Sequence, residues 1–121
     1  MTRHNDLYTL STLKRWPELA EAAKRVLATE PEDGEGWTYL GRALYQQHEY
    51  EAAVPALQKA CVLGNDRAWA YRMLSLSLQS LDRLRDAKVA AESALELEPE
   101  TAMNHVRVSR LARLTGDAKR A

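Results

Sequence analysis

The sequence contains no phenylalanine, four prolines and a single cysteine. A lone cysteine, Cys61, excludes an intrachain disulfide. Aromatic residues make up only 7% of the chain, whereas alanine and leucine are abundant, and this composition favours helices over sheets. The chain also lacks any apolar run close to the ~20 residues that span a bilayer, so we expect no direct membrane insertion.

An excess of charge is missing as well, because 17 basic and 17 acidic residues cancel. Nucleic-acid-binding proteins usually carry a strong basic excess, so we expect no nucleic acid among the partners. The first residues, MTRHNDLYTL, lack the apolar core of a signal peptide, which favours a cytoplasmic location. The length of 121 residues indicates a single domain.

Patterns typical of catalysis and metal binding are not visible either. His4, His48 and His105 lie far apart and match no metal-ligand spacing. Cys61 lies in the apolar run ALQKACVL, which predicts a small buried residue rather than a reactive thiol. We therefore expect a protein that is not an enzyme and binds no cofactor. The alternative is an enzyme whose site residues are distant from one another in the sequence.

What the chain does contain is a period of 34 residues, which superposes the sequence on itself without gaps. Each period holds two helical patterns joined by two or three residues, which predicts an antiparallel helical hairpin. One hairpin cannot bury its apolar face alone, so the hairpins are expected to stack. The aligned columns include Trp37–Tyr71–His105, Leu40–Leu74–Val108, Gly41–Ser75–Ser109, Ala53–Ala87–Ala121 and Ala60–Ala94.

The two patterns in each period predict about seven helices in antiparallel pairs. The first helix ends near Leu13, and His105 is expected to pack at the end of the stack. Short segments that contain proline or charged residues, such as HE, DR and EPE, separate the helical patterns. The remaining predicted helices cover 16–29, 36–47, 50–63, 68–81, 84–97 and 102–114.

This arrangement resembles the tetratricopeptide repeat (TPR) family, in which a 34-residue unit has a W-x2-L-G-x2-Y-type first helix, an alanine-marked second helix and a closing proline. The resemblance covers nearly the whole chain and is strongest in the two central repeats. It implies an all-α, right-handed α–α superhelix in one domain, with repeats at about 1–33, 34–67 and 68–101 and a partial repeat at 102–121. The matching residues are Trp37, Leu40, Gly41, Tyr50, Ala53 and Ala60, then Tyr71, Leu74, Ala87, Ala94 and Pro99.

The resemblance also implies a function. In TPR proteins the first helix of each pair lines a concave groove that holds peptides or protein segments. Arginine and aromatic residues are enriched at binding hot spots, so we predict a protein–protein interaction scaffold whose groove binds an acidic and apolar partner segment. Carried onto this sequence, the groove residues are His4, Tyr8, Thr38, Arg42, Tyr45, Gln46, Trp69, Arg72, Met73, Leu76, Gln79, Met103, Val106, Arg107 and Arg110.

Two alternatives stand beside this prediction. Any single groove arginine can instead be solvated or paired with an acid such as Asp66 or Glu100. The whole chain can also be a structural module that forms homo-oligomers by stacking through its incomplete C-terminal repeat, as a fragment of a larger multi-repeat protein. One branch of the family grips a C-terminal carboxylate with lysines and asparagines, but here the matching slots carry His4, Tyr8, Tyr39, Trp69 and Met73, so that clamp is absent.

Gly41 interrupts an otherwise strong helical pattern at a cost of roughly 1 kcal/mol relative to alanine. The repeat suggests a reason, because Gly41 and Ser75 share one column and Ala53 and Ala87 share another. We expect these small residues to face each other across their hairpins and to let the two helices approach closely. Ser75 then brings a hydroxyl that needs a hydrogen-bond partner.

Overall fold

The computed structural model describes residues 3–116, without the side chains of residues 3 and 4, and over that range it contains seven α-helices and no strand. The predicted all-α class is therefore confirmed. The predicted bounds of α2, α4 and α6 agree with the structure, whereas α3 and α5 begin and end slightly earlier. The helices are α1 (Arg3–Thr12), α2 (Trp16–Thr29), α3 (Gly34–Gln46), α4 (Tyr50–Leu63), α5 (Arg67–Ser80), α6 (Leu84–Leu97) and α7 (Ala102–Thr115).

Some sequence predictions fall on residues that the structure does not describe. The groove position of the His4 side chain is one of them, and the Ala121 member of the alanine column is another. Both lie outside the described residues.

Consecutive helices pack as hairpins, α1 with α2, α3 with α4 and α5 with α6. Each hairpin packs on the next through contacts of α2 with α3, α4 with α5 and α6 with α7. This nearest-neighbour pattern is that of a helical repeat superhelix. Because α1 also contacts α3, and α3 contacts α5, the first helices of successive repeats lie side by side. No helix within residues 3–116 has both the length and the apolar character that crossing a membrane requires.

The turn inside each hairpin repeats with the same period. Lys14, His48 and Asp82 have φ angles of 58°, 62° and 62°, in the left-handed region, and Gly116 follows α7 with a φ of 84°. After each of the three non-glycine residues, the next backbone N–H donates to a carbonyl five residues earlier, at 2.9 Å in every case. This is the hydrogen bond of a Schellman motif, and it holds each turn in one conformation.

The core is rich in alanine and runs continuously through the stacked helices. Leu7, Leu19, Leu57 and Leu111 are fully buried in it, and alanines fill the tight positions between helices. Cys61 is buried as predicted, and burial raises the pKa of its thiol to about 12. The thiol is therefore neutral at neutral pH, and it acts as a small apolar side chain.

Gly41 and Ser75 occupy the same column but contact different neighbours. A Cβ atom at Gly41 would lie 2.6 Å from Cδ2 of Leu57, so the close neighbour of this glycine is Leu57 and not the predicted Ala53. The hydroxyl of Ser75 donates to the carbonyl of Ala87 at 2.8 Å, which confirms the predicted facing of these two residues. The glycine makes room for a large side chain, whereas the serine reaches a backbone oxygen.

The Trp37 column also repeats a contact. The indole nitrogen of Trp37 donates to the carbonyl of Pro31 at 2.7 Å, and Nε2 of His105 lies 2.7 Å from the carbonyl of Pro99. His105 is nevertheless exposed. The prediction that it packs at the end of the stack is therefore wrong, because its ring turns toward the preceding loop.

Candidate functional site

A cleft of about 360 Å³ opens between α5 and α7, and α3 contributes one residue to its wall. We call it the α5–α7 cleft. All but one of its lining residues are groove residues predicted from the sequence, and Ser80 is the exception. The lining residues are Tyr45, Leu76, Gln79, Ser80, Met103, Val106, Arg107 and Arg110.

Helical spacing explains why these residues share one surface. Leu76 and Gln79 are three residues apart on α5, and Ser80 is four residues after Leu76. On α7, Met103 is followed at three, four and seven residues by the other lining side chains. Residues at these intervals lie on one face of a helix, so α5 and α7 each present one face to the cleft.

Apolar and basic side chains lie next to each other in the cleft. Met103 and Val106 are 57% and 47% exposed, which is high for large apolar residues. Met103 lies about one turn before Arg107, and Val106 lies about one turn before Arg110, on the same helix. An exposed apolar patch rimmed by polar residues is typical of an interaction site.

Arg107 has an unusual electrostatic environment. Its side chain is half-buried, and Nη1 is buried without a hydrogen-bond acceptor. Burial, followed by the positive charges of Arg72 and Arg110, lowers the pKa of the Arg107 guanidinium. The group remains charged at neutral pH because an arginine titrates far above it. Arg110 is exposed and, like Arg107, forms no ion pair within residues 3–116.

Arg42 lies outside the cleft and is held by the protein itself. Its guanidinium carbon lies 5.0 Å from the ring centroid of Trp69, at cation–π distance. Nη1 donates a long hydrogen bond of 3.4 Å to the hydroxyl of Ser11, while Nε is buried without an acceptor. Trp69 and Met73 pack in turn against the core, so this side of the groove is occupied by its own contacts.

Arg72 also has a partner, which is not one of the predicted acids. Its Nη1 lies 2.5 Å from Oε1 of Glu98 at the end of α6. Asp66 accepts a hydrogen bond of 3.0 Å from the backbone N–H of Trp69 and caps α5 instead. No spacing in the sequence indicates Glu98, because it lies 26 residues after Arg72 and directly follows the end of another helix.

The other predicted groove residues are separate from the cleft. Tyr8 is 64% exposed on α1. The hydroxyl of Thr38 donates to the carbonyl of Gly34 in its own helix at 2.9 Å, and Gln46 is exposed at the end of α3. Part of the predicted groove therefore forms the α5–α7 cleft, and the other predicted groove residues lie outside it.

The described residues contain no group of three or more histidine, cysteine, aspartate and glutamate side chains that could hold a metal ion. Cys61, the sole thiol, is buried and neutral at neutral pH. The side chains that line the α5–α7 cleft offer apolar contact, hydrogen bonding and positive charge.

No protein-family model matches the sequence, and no curated protein matches it. Solved structures do match. MamA from Desulfovibrio magneticus RS-1 superposes with a TM-score of 0.84 and 21% identity, over 97% of this chain and 66% of that chain. The Arabidopsis OM64 TPR domain superposes with a TM-score of 0.82 and 17% identity, over 92% of each chain. The chain has the TPR fold.

A third TPR structure is the first TPR of Spaghetti (RPAP3) bound to the HSP90 peptide SRMEEVD. It superposes with a TM-score of 0.82 and 17% identity, over 93% of this chain and 89% of that one. These matches confirm the predicted TPR-like superhelix. The chain spans 66% of the length of the MamA structure. A fold does not fix a function, so the function has to be argued from the cleft.

Proposed function

We propose that this chain is a protein-interaction scaffold that binds a peptide or protein segment of a partner along the row of α1, α3, α5 and α7. The observation that carries the proposal is the α5–α7 cleft, where the exposed side chains of Met103 and Val106 lie beside Arg107 and Arg110. Binding energy at protein interfaces concentrates in a few such residues, with arginine among the most enriched. No catalytic step forms part of the proposal.

The class of partner follows from the surface. An open cleft between helices suits a segment of chain better than an enclosed small molecule. Its apolar side chains favour apolar residues in the partner, and its two arginines favour acidic ones. The first TPR of Spaghetti (RPAP3), which has the same fold, is bound to a peptide, and this supports a peptide as the kind of partner.

A pair of substitutions tests the proposal. Partners captured by the immobilised chain are identified, and the binding of each is then titrated. Met103→Glu places a negative charge in the cleft and should weaken binding at least tenfold, or about 1.4 kcal/mol. Val62→Glu is the matched control, because Val62 is 72% exposed on α4, outside the cleft. Equal binding by the two variants would contradict groove binding.

A second candidate function is association with another copy through α7, and one observation favours it. Ser109 is exposed and Val108 is half-buried, whereas the equivalent Ser75 and Leu74 of α5 are 0% and 7% exposed. Within the described range, α7 packs chiefly against α6. Light scattering tests this candidate: a dimer that Ser109→Arg dissociates would support it, and a monomer at every concentration would reject it.

A further inference from the structure

We infer that the α5–α7 cleft is the part of the groove that recognises acid, and that it binds an aspartate or glutamate side chain within an internal segment of the partner, next to an apolar side chain. Arg42 and Arg72 take no part in this recognition. The inference rests on the proposed function. It assigns the binding position of the partner's acidic side chain to one end of the groove.

The contacts of the predicted groove arginines carry the inference. Arg72 is already neutralised by Glu98, at 2.5 Å. Arg42 stacks on Trp69 and donates to Ser11. An incoming carboxylate would have to compete with these contacts. Such competition reduces the free energy that either arginine can contribute to binding.

The arginines of the cleft have neither the ion pair of Arg72 nor the stacking and hydroxyl contacts of Arg42 within residues 3–116, although Arg42 also has one nitrogen buried without an acceptor. Arg107 and Arg110 lie three residues apart on α7, and neither has an acidic partner within residues 3–116. Arg107 keeps one nitrogen buried without an acceptor, and burial, followed by the charges of Arg72 and Arg110, lowers the pKa of its guanidinium. A carboxylate in the cleft would supply the opposite charge that Arg107 and Arg110 lack. It would also accept charge-assisted hydrogen bonds from the guanidinium groups.

The need for an apolar residue in the partner follows from the same face of α7. Met103 is four residues before Arg107, and Val106 is four residues before Arg110. Each exposed apolar side chain therefore lies one helical turn from a cation. A partner residue that reaches an arginine brings its neighbour against Met103 or Val106, so the acid and the apolar residue must be close together in the partner.

The acid is a side chain and not the end of the partner chain. The resemblance to TPR proteins implies that a chain end would be held at the positions of Tyr8, Tyr39, Trp69 and Met73, none of which carries a positive charge here. Recognition of a chain end has no equivalent support in this groove.

The experiment uses synthetic peptides with blocked termini, each with one glutamate and one leucine at neighbouring positions in an alanine–serine background. Matched copies carry glutamine for glutamate, and a third set has a free C-terminus. Wild-type protein should bind the glutamate peptides roughly tenfold more tightly than the glutamine copies, since hydrogen bonds to charged groups contribute this much. Arg110→Ala, at an exposed position, should abolish the preference, as should Arg107→Ala.

Two further variants serve as controls. Arg72→Ala combined with Glu98→Ala removes the ion pair without changing the net charge, and it should leave the glutamate preference intact. Glu98→Gln frees Arg72 near the cleft and should strengthen the preference severalfold. Circular dichroism melts check that each variant is folded.

The inference is overturned if glutamate and glutamine peptides bind equally, if the Arg72→Ala/Glu98→Ala variant loses the preference, or if only peptides with a free C-terminus bind. In these cases, sensitivity of peptide binding to Met103→Glu would still support groove binding. Absence of binding by every peptide, or binding unaffected by Met103→Glu, would overturn the proposed function as well.

Discussion

In the hairpin α3–α4 the position of close approach holds Gly41 against Leu57, whereas in α5–α6 the equivalent positions hold Ser75 and Ala91. The first pair combines the smallest side chain with a large one, and the second combines two small ones. All four residues are buried. The difference indicates that the size of the residue on the first helix limits the size of its neighbour on the second, since Gly41 leaves room for Leu57 whereas Ser75 is matched with the smaller Ala91.

This packing also bears on the candidate site. Arg42 and Tyr45 follow Gly41 on α3, and Leu76 and Gln79 follow Ser75 on α5. The spacing inside each hairpin therefore helps to set where these groove residues lie. Substitutions that change side-chain volume in one hairpin at a time test whether a small residue on one helix compensates for a large residue on the other.

The largest effect is expected for Leu57→Ala. Leu57 is fully buried, and the neighbouring glycine has no side chain with which to fill the cavity. The variant should lose about 2–5 kcal/mol of unfolding free energy. Chemical denaturation measures the loss.

Gly41→Ala gives the sharper test in the same hairpin. In the wild type the new methyl group pushes against Leu57, and this overpacking should outweigh a gain of about 1 kcal/mol in helix propensity. In the Leu57→Ala background the methyl group has space, so the same change should stabilise the protein. If Gly41→Ala changed the stability in the same direction in both backgrounds, the size of residue 57 would not decide whether a methyl group fits at residue 41.

The next largest effect is expected for Ala91→Leu in α5–α6. This change places a large side chain where Ser75 leaves no room and should cost about 1–3 kcal/mol. Adding Ser75→Gly recreates the pair found in α3–α4 and should recover part of the loss. A double-mutant cycle in urea measures the coupling. Additive losses would contradict the compensation.

The sequence predicted the helices well, because hydrophobic spacing and turn residues are local signals and the period repeats them. The resemblance to TPR proteins supplied most of the residues that line the α5–α7 cleft, and their spacing of three and four residues agrees with a shared helix face. The partners of individual side chains were harder to predict. Arg72 with Glu98, Arg42 with Trp69 and Gly41 with Leu57 each join different helices, and their contacts depend on side-chain rotamers that no spacing records.

A smaller effect is expected in the turns of the two hairpins. His48 and Asp82 both have a φ of 62°, which disfavours residues with a Cβ. Glycine at either position should therefore stabilise the protein, by about 0.5–1 kcal/mol after its greater entropy in the unfolded chain is counted. The gain should be larger at Asp82. Nδ1 of His48 lies 2.7 Å from the hydroxyl of Tyr50, and this contact would be lost.

Paired thermal melts of Asp82→Gly and His48→Gly measure this difference. A larger gain at His48 would show that its contact with Tyr50 adds no stability. Destabilisation at both positions would contradict the view that the left-handed turn is strained.

The smallest effect is expected for Ser75→Ala, which separates volume from hydrogen bonding in α5–α6. The change removes the 2.8 Å hydrogen bond to the carbonyl of Ala87, which is buried. A neutral hydrogen bond contributes about 0.5–1.5 kcal/mol net, and alanine has the higher helix propensity, so the loss should be about 0.5 kcal/mol or less. A loss much larger than this, measured by denaturation in urea, would mean that the hydroxyl and not the volume closes this hairpin. Because Gly41 has no hydroxyl, the two hairpins would then be held together by different forces.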